Sequence, residues 1–173
     1  MLGGVPSPLG TLVAGATDRG LCLLEFAEPE RLESQISRLG ARLDAGFRIG
    51  EHSLFAALRE QLDAYFAGEL TEFDIPLDLR GTPFQERAWN ILREIPYGQT
   101  RSYLDQAVAL GRPGAVRAVA RANGENRIAI LIPCHRVLGK DGSLTGYGGG
   151  LWRKKFLLER EGAETQLALD GLE

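Results

Sequence analysis

The chain has 173 residues, 44% hydrophobic and 25% charged, with a formal net charge of −3, an ordinary make-up for one soluble globular domain or two small ones sharing a core. Two cysteines make no disulfide framework, two histidines without a close Cys/His cluster make no transition-metal site, and no apolar run is long enough to span a bilayer. The start shows no signal-peptide pattern, so a reducing cytoplasm is the expected compartment.

Residues 12–16 and 21–26 are apolar runs flanking Asp18-Arg19-Gly20, which predicts a β-hairpin. Leu32, Ile36, Leu39 and Leu43 stand at helical spacing over 29–43. Phe55, Leu58, Leu62, Tyr65 and Phe66 repeat that spacing in a second helix, ended by Gly68. Residues 73–77 read as a short strand, at an edge because of Pro76. Gly81 begins a linker, and Thr82-Pro83-Phe84-Gln85 has the pattern of a capping box with proline at the first helical position. Phe84, Ala88, Leu92 and Ile95 form the buried stripe of that helix. Ser102 caps the next one, through Leu110, with Asp105 at its third position. Gly111 to Gly114 is a tight break before a small-residue helix over 115–123, and the pair reads as a helix-turn-helix. A last helix is predicted over 151–161, followed by a frayed acidic tail. Charge is divided along the chain: residues 1–80 carry net −6 and residues 98–161 net +6. A basic block of that kind suits a face that meets phosphates.

The basic block contains Ile132-Pro133-Cys134-His135-Arg136-Val137. A thiol is a strong nucleophile only as thiolate, and neighbouring His and Arg favour that form. Cys134 is therefore the candidate nucleophile, whereas Cys22, inside an apolar run, reads as a buried structural cysteine. On an extended chain His135 and Cys134 point to opposite faces, so His135 reaches the thiol through a water or at a bend. A carboxylate is needed to orient the imidazole; Glu159 and Glu161 on the last helix qualify, as do acids elsewhere in the chain. Arg117 is the one long side chain among Ala115, Ala118, Ala120 and Ala122, on a helix suited to close approach to a DNA groove. Tyr103 offers a phenol as proton donor to a departing base. The glycines at 142, 146, 148, 149 and 150 permit close backbone approach to a ligand.

These elements, in this order, resemble the O6-alkylguanine-DNA alkyltransferases, most closely the C-terminal alkyltransferase half of the bacterial Ada adaptive-response protein. The resemblance rests on Gly81 to Gln85, Trp89, Ile95-Pro96-Tyr97-Gly98-Gln99-Thr100, Ser102-Tyr103, Arg117-Ala118-Val119, Asn126, the run around Cys134, Gly146-Tyr147, Lys154 and Glu161. It implies an α+β architecture: a small N-terminal α/β, ribonuclease-H-like domain over 1–80, a helical winged-helix-like DNA-binding and catalytic domain over 81–163, and a tail over 164–173. It implies direct reversal of DNA damage, with the alkyl group of O6-alkylguanine, or of O4-methylthymine, moved to Cys134 in a single turnover without metal or cofactor. The implied partner is double-stranded DNA, entered from the minor groove by a monomer with the damaged base flipped out. By position, His135 is the water-linked base, Glu161 the carboxylate that orients it, Asn126 the brace of the active-site turn, and Tyr103 the donor to the guanine ring. Arg117 is the finger that fills the vacated stack, with Ala118, Arg121 and Ser102 on the DNA-binding face. Backbone groups of Cys134, Val137 and Gly148 read the guanine edges, Tyr147 is a pocket wall, and Gly149 lies beside it.

Four positions depart from the family pattern: Ala120 for glycine, Arg127 for proline, Gly148 for serine, and Gln106 where an apolar residue is usual. A buried Gln106 needs a partner for its amide. Alkyltransferase-like proteins that only recognise damage lack the acceptor cysteine, so Cys134 separates this chain from them. A transcriptional regulator would need a further methyl-accepting region, and a Cys-His thiol hydrolase has only the dipeptide in its favour.

Overall fold

The structure, a computed structural model, describes residues 1–163; the expected tail at 164–173 lies outside the described residues. The chain divides into two compact units. One comprises Met1–Thr82 with Arg127–Ala129, the other Pro83–Asn126 with the described residues from Ile130 to Ala163.

The first unit is built on three antiparallel strands, β1 (Leu2–Val5), β2 (Leu12–Thr17) and β3 (Gly20–Phe26), in the order β1-β2-β3. The predicted hairpin is β2–β3, with Thr17 opposite Gly20. Gly20 has φ +149, and a Cβ there would lie 2.5 Å from the Pro76 carbonyl oxygen, so the turn needs glycine. β1 was not anticipated, because Leu2-Gly3-Gly4-Val5 has no alternation to read. The strand predicted over 73–77 does not form. Only a bridge between Leu21 and Leu77 is made, through Leu21 N–H to Pro76 O and Asp78 N–H to Leu21 O, both at 2.8 Å. Pro76 has no N–H to extend the ladder.

Helix α1 spans Pro29–Leu43 and α2 spans Ser53–Ala67, as their spacing predicts. Gly68, at φ 79, ends α2 with its N–H on the carbonyls of Ala64 and Tyr65. Every residue of β3 is buried, and Leu39, Phe55, Leu58, Leu62 and Tyr65 complete this core. Each fully buried leucine there contributes about 1.5–3 kcal/mol. Residues 127–129 extend the sheet beside β3, with Leu24 N–H on Arg127 O and Ala129 N–H on Leu24 O, both at 2.8 Å. Cys22 is buried, and burial, reinforced by the charge of Asp78, pushes its thiol up to about 11. It is the inert cysteine the sequence suggests.

The second unit is helical: α3 (Pro83–Arg93), α4 (Tyr103–Ala109), α5 (Val116–Gly124) and α6 (Leu151–Arg160). A parallel pair, β4 (Arg101–Ser102) with β5 (Val137–Leu138), joins distant segments; runs this short leave no sequence pattern. Ser102 caps α4 with a full capping box, its hydroxyl accepting from Asp105 N–H while the Asp105 carboxylate accepts from Ser102 N–H. Ala88, Ala107 and Ala122 let α3, α4 and α5 close on Leu110 and Val119, and Trp89 Nε1–H donates to Ala122 O at 2.8 Å. Gln106 is buried in this core, and its amide is paired with that of Asn123. Among the described residues no helix is long and apolar enough to cross a membrane.

Candidate active site

Ile130 has φ +71, a left-handed conformation rare for a β-branched residue, and it turns the chain just before the motif. Cys134–Arg136 then form a 3-10 turn rather than an extended segment, with Arg136 N–H on Pro133 O at 3.0 Å. Side chains on such a turn fan out at about 120° intervals, which replaces the opposed faces expected of an extended chain. Cys134 is half-buried, while His135 is 0% exposed and Arg136 is buried.

His135 Nε2 lies 2.7 Å from Glu161 Oε1, at the C-terminal end of α6. Arg136 Nε and Nη2 donate to Glu161 Oε2 and Oε1 at 2.9 and 3.0 Å, and Nη1 donates to Ile95 O at 2.6 Å. Of the two acids singled out on the last helix, Glu161, the one the resemblance names, lies against the imidazole; Glu159 is exposed and pairs with Lys155 at 3.8 Å. Burial raises the Glu161 carboxyl, but hydrogen bonds and charges from His135 and Arg136 outweigh it and hold the group at about 2. Burial pushes His135 below 6.5 against the pull of Glu161, so the ring is neutral near pH 7. An ionised carboxylate only accepts, so the ring proton sits on Nε2 and Nδ1 keeps a lone pair. Nδ1 is buried with no hydrogen-bond partner, a base awaiting a proton.

The expectation that Arg136 favours the thiolate needs correction, since its guanidinium is committed to Glu161 and Ile95. The cation on the thiol side is Lys154, which is 0% exposed. Its ammonium donates to the carbonyls of Val137, Thr145 and Gly146 at 2.5, 2.9 and 3.2 Å. Burial lowers it to about 8, partly offset by attraction to Cys134. Sequence reasoning gave Lys154 no role. The signal was its place on the buried face of α6, with Leu157, Leu158 and Glu161.

Asn126 Nδ2 donates to Ile132 O at 2.9 Å and to Cys134 Sγ at 3.3 Å, bracing the turn and solvating the sulfur. Tyr103 Oη donates to Thr145 O at 2.8 Å, and burial, then the Cys134 charge, raises its pKa. A cleft of about 130 Å3 is lined by Tyr103, Ala120, Asn123, Gly124, Cys134 and residues 146–148. Tyr147 and Gly148 thus line the cleft with the nucleophile. Val137 and Gly149 do not line it; both are buried, and their carbonyls accept from Lys154 and Arg153. Ala120, Asn123 and Gly124 were not singled out as walls; their spacing along α5 puts them on its cleft-facing side. Gly146 stands at φ +60, where a Cβ would lie 3.5 Å from Tyr103 Oη.

Arg117, Ala118, Ala120 and Arg121 are exposed on α5, with Arg121 3.5 Å from Glu125. Ser102, half-buried, is the cap of α4. Among the described residues no His, Cys, Asp and Glu cluster could hold a metal ion. The arrangement supplies a reachable thiol, a neutral base, a buried counter-charge and a phenol around one cleft, the groups that nucleophilic displacement requires.

Residues 83–163 match the DNA-binding domain of 6-O-methylguanine DNA methyltransferases, and residues 3–79 match their ribonuclease-like domain. The methylated-DNA–protein-cysteine methyltransferase of Mycobacterium tuberculosis is 64% identical over 107 residues, 62% of this chain and 65% of that protein. The match thus spans just under two thirds of that relative's length. The Mycobacterium leprae protein of the same name is 50% identical over 155 residues, 90% of this chain and 88% of its own. The structure of M. tuberculosis O6-methylguanine methyltransferase superposes with TM-score 0.78 at 47% identity, covering 98% of both chains. M. tuberculosis OGT in complex with DNA gives 0.79 at 46% identity, again over 98% of both. With matched domains along nearly its whole length and a relative half identical over nine-tenths of it, the chain belongs to the 6-O-methylguanine DNA methyltransferase family.

Proposed function

We propose that this chain repairs double-stranded DNA by direct reversal, taking the alkyl group of O6-alkylguanine onto Cys134 once per molecule. The observation that carries this is the half-buried Cys134 lining a cleft, its sulfur held by Asn126, one residue from a buried neutral imidazole locked by Glu161. The names of the relatives and the DNA complex of M. tuberculosis OGT support the substrate.

In the reaction the thiol proton passes through a water to His135 Nδ1, and Glu161 stabilises the imidazolium. The thiolate attacks the saturated carbon; the S–C bond forms as the C–O6 bond breaks. The electron pair leaves on guanine, and Tyr103 gives the departing ring a proton. Lys154 offsets the phenolate that results. A thioether is a poor leaving group, so Cys134 stays alkylated and no second turnover follows.

The unit from residue 83 onward carries both chemistry and DNA binding. Its small-residue α5 enters the minor groove as a monomer, Arg117 fills the stack behind the flipped base, and Ala118, Arg121 and Ser102 flank it. Extrusion costs a few kcal/mol, less for a damaged pair. The site of action is the cytoplasm, where thiols stay reduced. Titrating the protein with excess duplex bearing one O6-methylguanine tests the proposal. Repair is expected to stop at one methyl per protein; continued turnover, or none, contradicts it.

A further inference from the structure

Gln106 and Asn123 form a reciprocal amide pair inside the helix-turn-helix. Gln106 Nε2 donates to Asn123 Oδ1 at 2.9 Å, and Asn123 Nδ2 donates to Gln106 Oε1 at 2.7 Å. A third bond, from Gln106 Nε2 to Ala88 O at 3.2 Å, fixes which end is nitrogen, because only an N–H can donate to a carbonyl. Both hydrogens on Gln106 Nε2 are then used. Asn123 retains one N–H and one oxygen lone pair, and it is a wall of the cleft that holds Cys134 and Tyr103. Gln106 is 1% exposed and does not line that cleft. The Asn123 backbone carbonyl also accepts from the Asn126 backbone N–H at 3.1 Å, at the head of the residue that holds the sulfur. A chain of fixed amides therefore runs from α3 through α4 to the cleft wall.

Resting on the alkyl-transfer reading above, we propose that Gln106 is a positioning residue, which locks the Asn123 amide so that its remaining N–H and lone pair hydrogen-bond to the extruded base. Guanine carries donors and acceptors on its edges and can satisfy both. The bond is made to bound base and transition state alike, so its loss raises the substrate concentration needed and spares the limiting rate. A pair that merely packs the helices would instead alter DNA binding.

The test is single-turnover transfer to Cys134 from a trinucleotide bearing O6-methylguanine, which offers no duplex to the exposed face of α5 around Arg117, and from a duplex. In Gln106→Leu, Asn123→Leu and the double variant, the half-saturating trinucleotide concentration is expected to rise about tenfold, with the limiting rate within about twofold. The double variant should equal the singles, because the two amides act as one unit. Gln106→Asn, which keeps the amide but shortens its reach, should show the same shift and guards against failure of the leucine variant to fold. The proposal is overturned if trinucleotide transfer is unchanged while duplex binding falls, or if the single losses multiply in the double. A wild-type protein that methylates Cys134 from neither substrate overturns the alkyl-transfer reading itself and this inference with it.

Discussion

Glu161 Oε1 lies 2.7 Å from His135 Nε2, and Arg136 holds both Glu161 oxygens at 2.9 and 3.0 Å. The two contacts divide the labour. Arg136 keeps the carboxylate ionised, the carboxylate fixes the imidazole proton on Nε2, and Nδ1 is left as the only basic position of the ring.

The first prediction concerns pH and rate. Burial holds His135 below 6.5, so methyl transfer should not decline as pH falls from 8 to 6.5, and should decline in more acid solution as the ring protonates. Glu161→Gln offers Nε2 an N–H, which draws the ring proton to Nδ1 and removes the base. Quenched single-turnover assays should show a loss of about 10²–10⁴-fold.

Stability should carry the same signature. The Glu161 carboxyl is depressed from 4.5 to about 2 by its partners, so its contribution is complete above pH 4.5 and drains away as pH falls toward 2. Replacing Glu161 with Ala leaves Arg136 buried and unpaired. The loss at pH 7 should be about 3–5 kcal/mol in urea unfolding, and the variant's profile should be flatter below pH 4.5 than the wild type's.

Lys154 has the opposite sense. Its folded value, about 8, lies below its ordinary 10.5, so the unfolded chain binds more protons between those limits and stability rises with pH across that window. In Lys154→Met the rise should vanish. The same variant removes the ammonium from the carbonyls of Val137, Thr145 and Gly146, so methyl transfer should fall at least about tenfold, as for loss of a charged hydrogen-bonding group.

Arg117→Ala should slow repair of duplex while leaving transfer from a single-stranded trinucleotide within about twofold, since a finger is needed only where a stack is vacated. Equal losses on both substrates would remove Arg117 from that role.

The helices were legible because their apolar spacing is long and regular: α1 and α2 fall where Leu32 to Leu43 and Phe55 to Phe66 place them. What escaped was short or nonlocal. β1, β4 and β5 are too brief for any period, and the 73–77 strand was read from apolar content that Pro76 keeps out of a ladder. In the site, Cys134, Tyr103 and Tyr147 share the cleft, with Asn126 on the sulfur and His135 next along the turn. Residue spacing alone left Glu159 and Glu161 open and the resemblance pointed to Glu161; the pitch of α6 turns that one inward and Glu159 to solvent. Arg136 turns to Glu161 and Ile95 instead of the thiol because a side chain's direction on a 3-10 turn is not written in its neighbours, and Lys154, given no part by the sequence, lies buried on α6 instead. Gln106, an anomaly in isolation, became intelligible only once Asn123 was found across the helix pair.

The most direct measurement is peptide mapping by mass spectrometry after incubation with duplex DNA bearing one O6-methylguanine. The account predicts a single S-methyl group, on the peptide containing Cys134, with Cys22 untouched and guanine restored in the DNA. A methyl group found elsewhere, or repaired DNA with Cys134 unmodified, would contradict it.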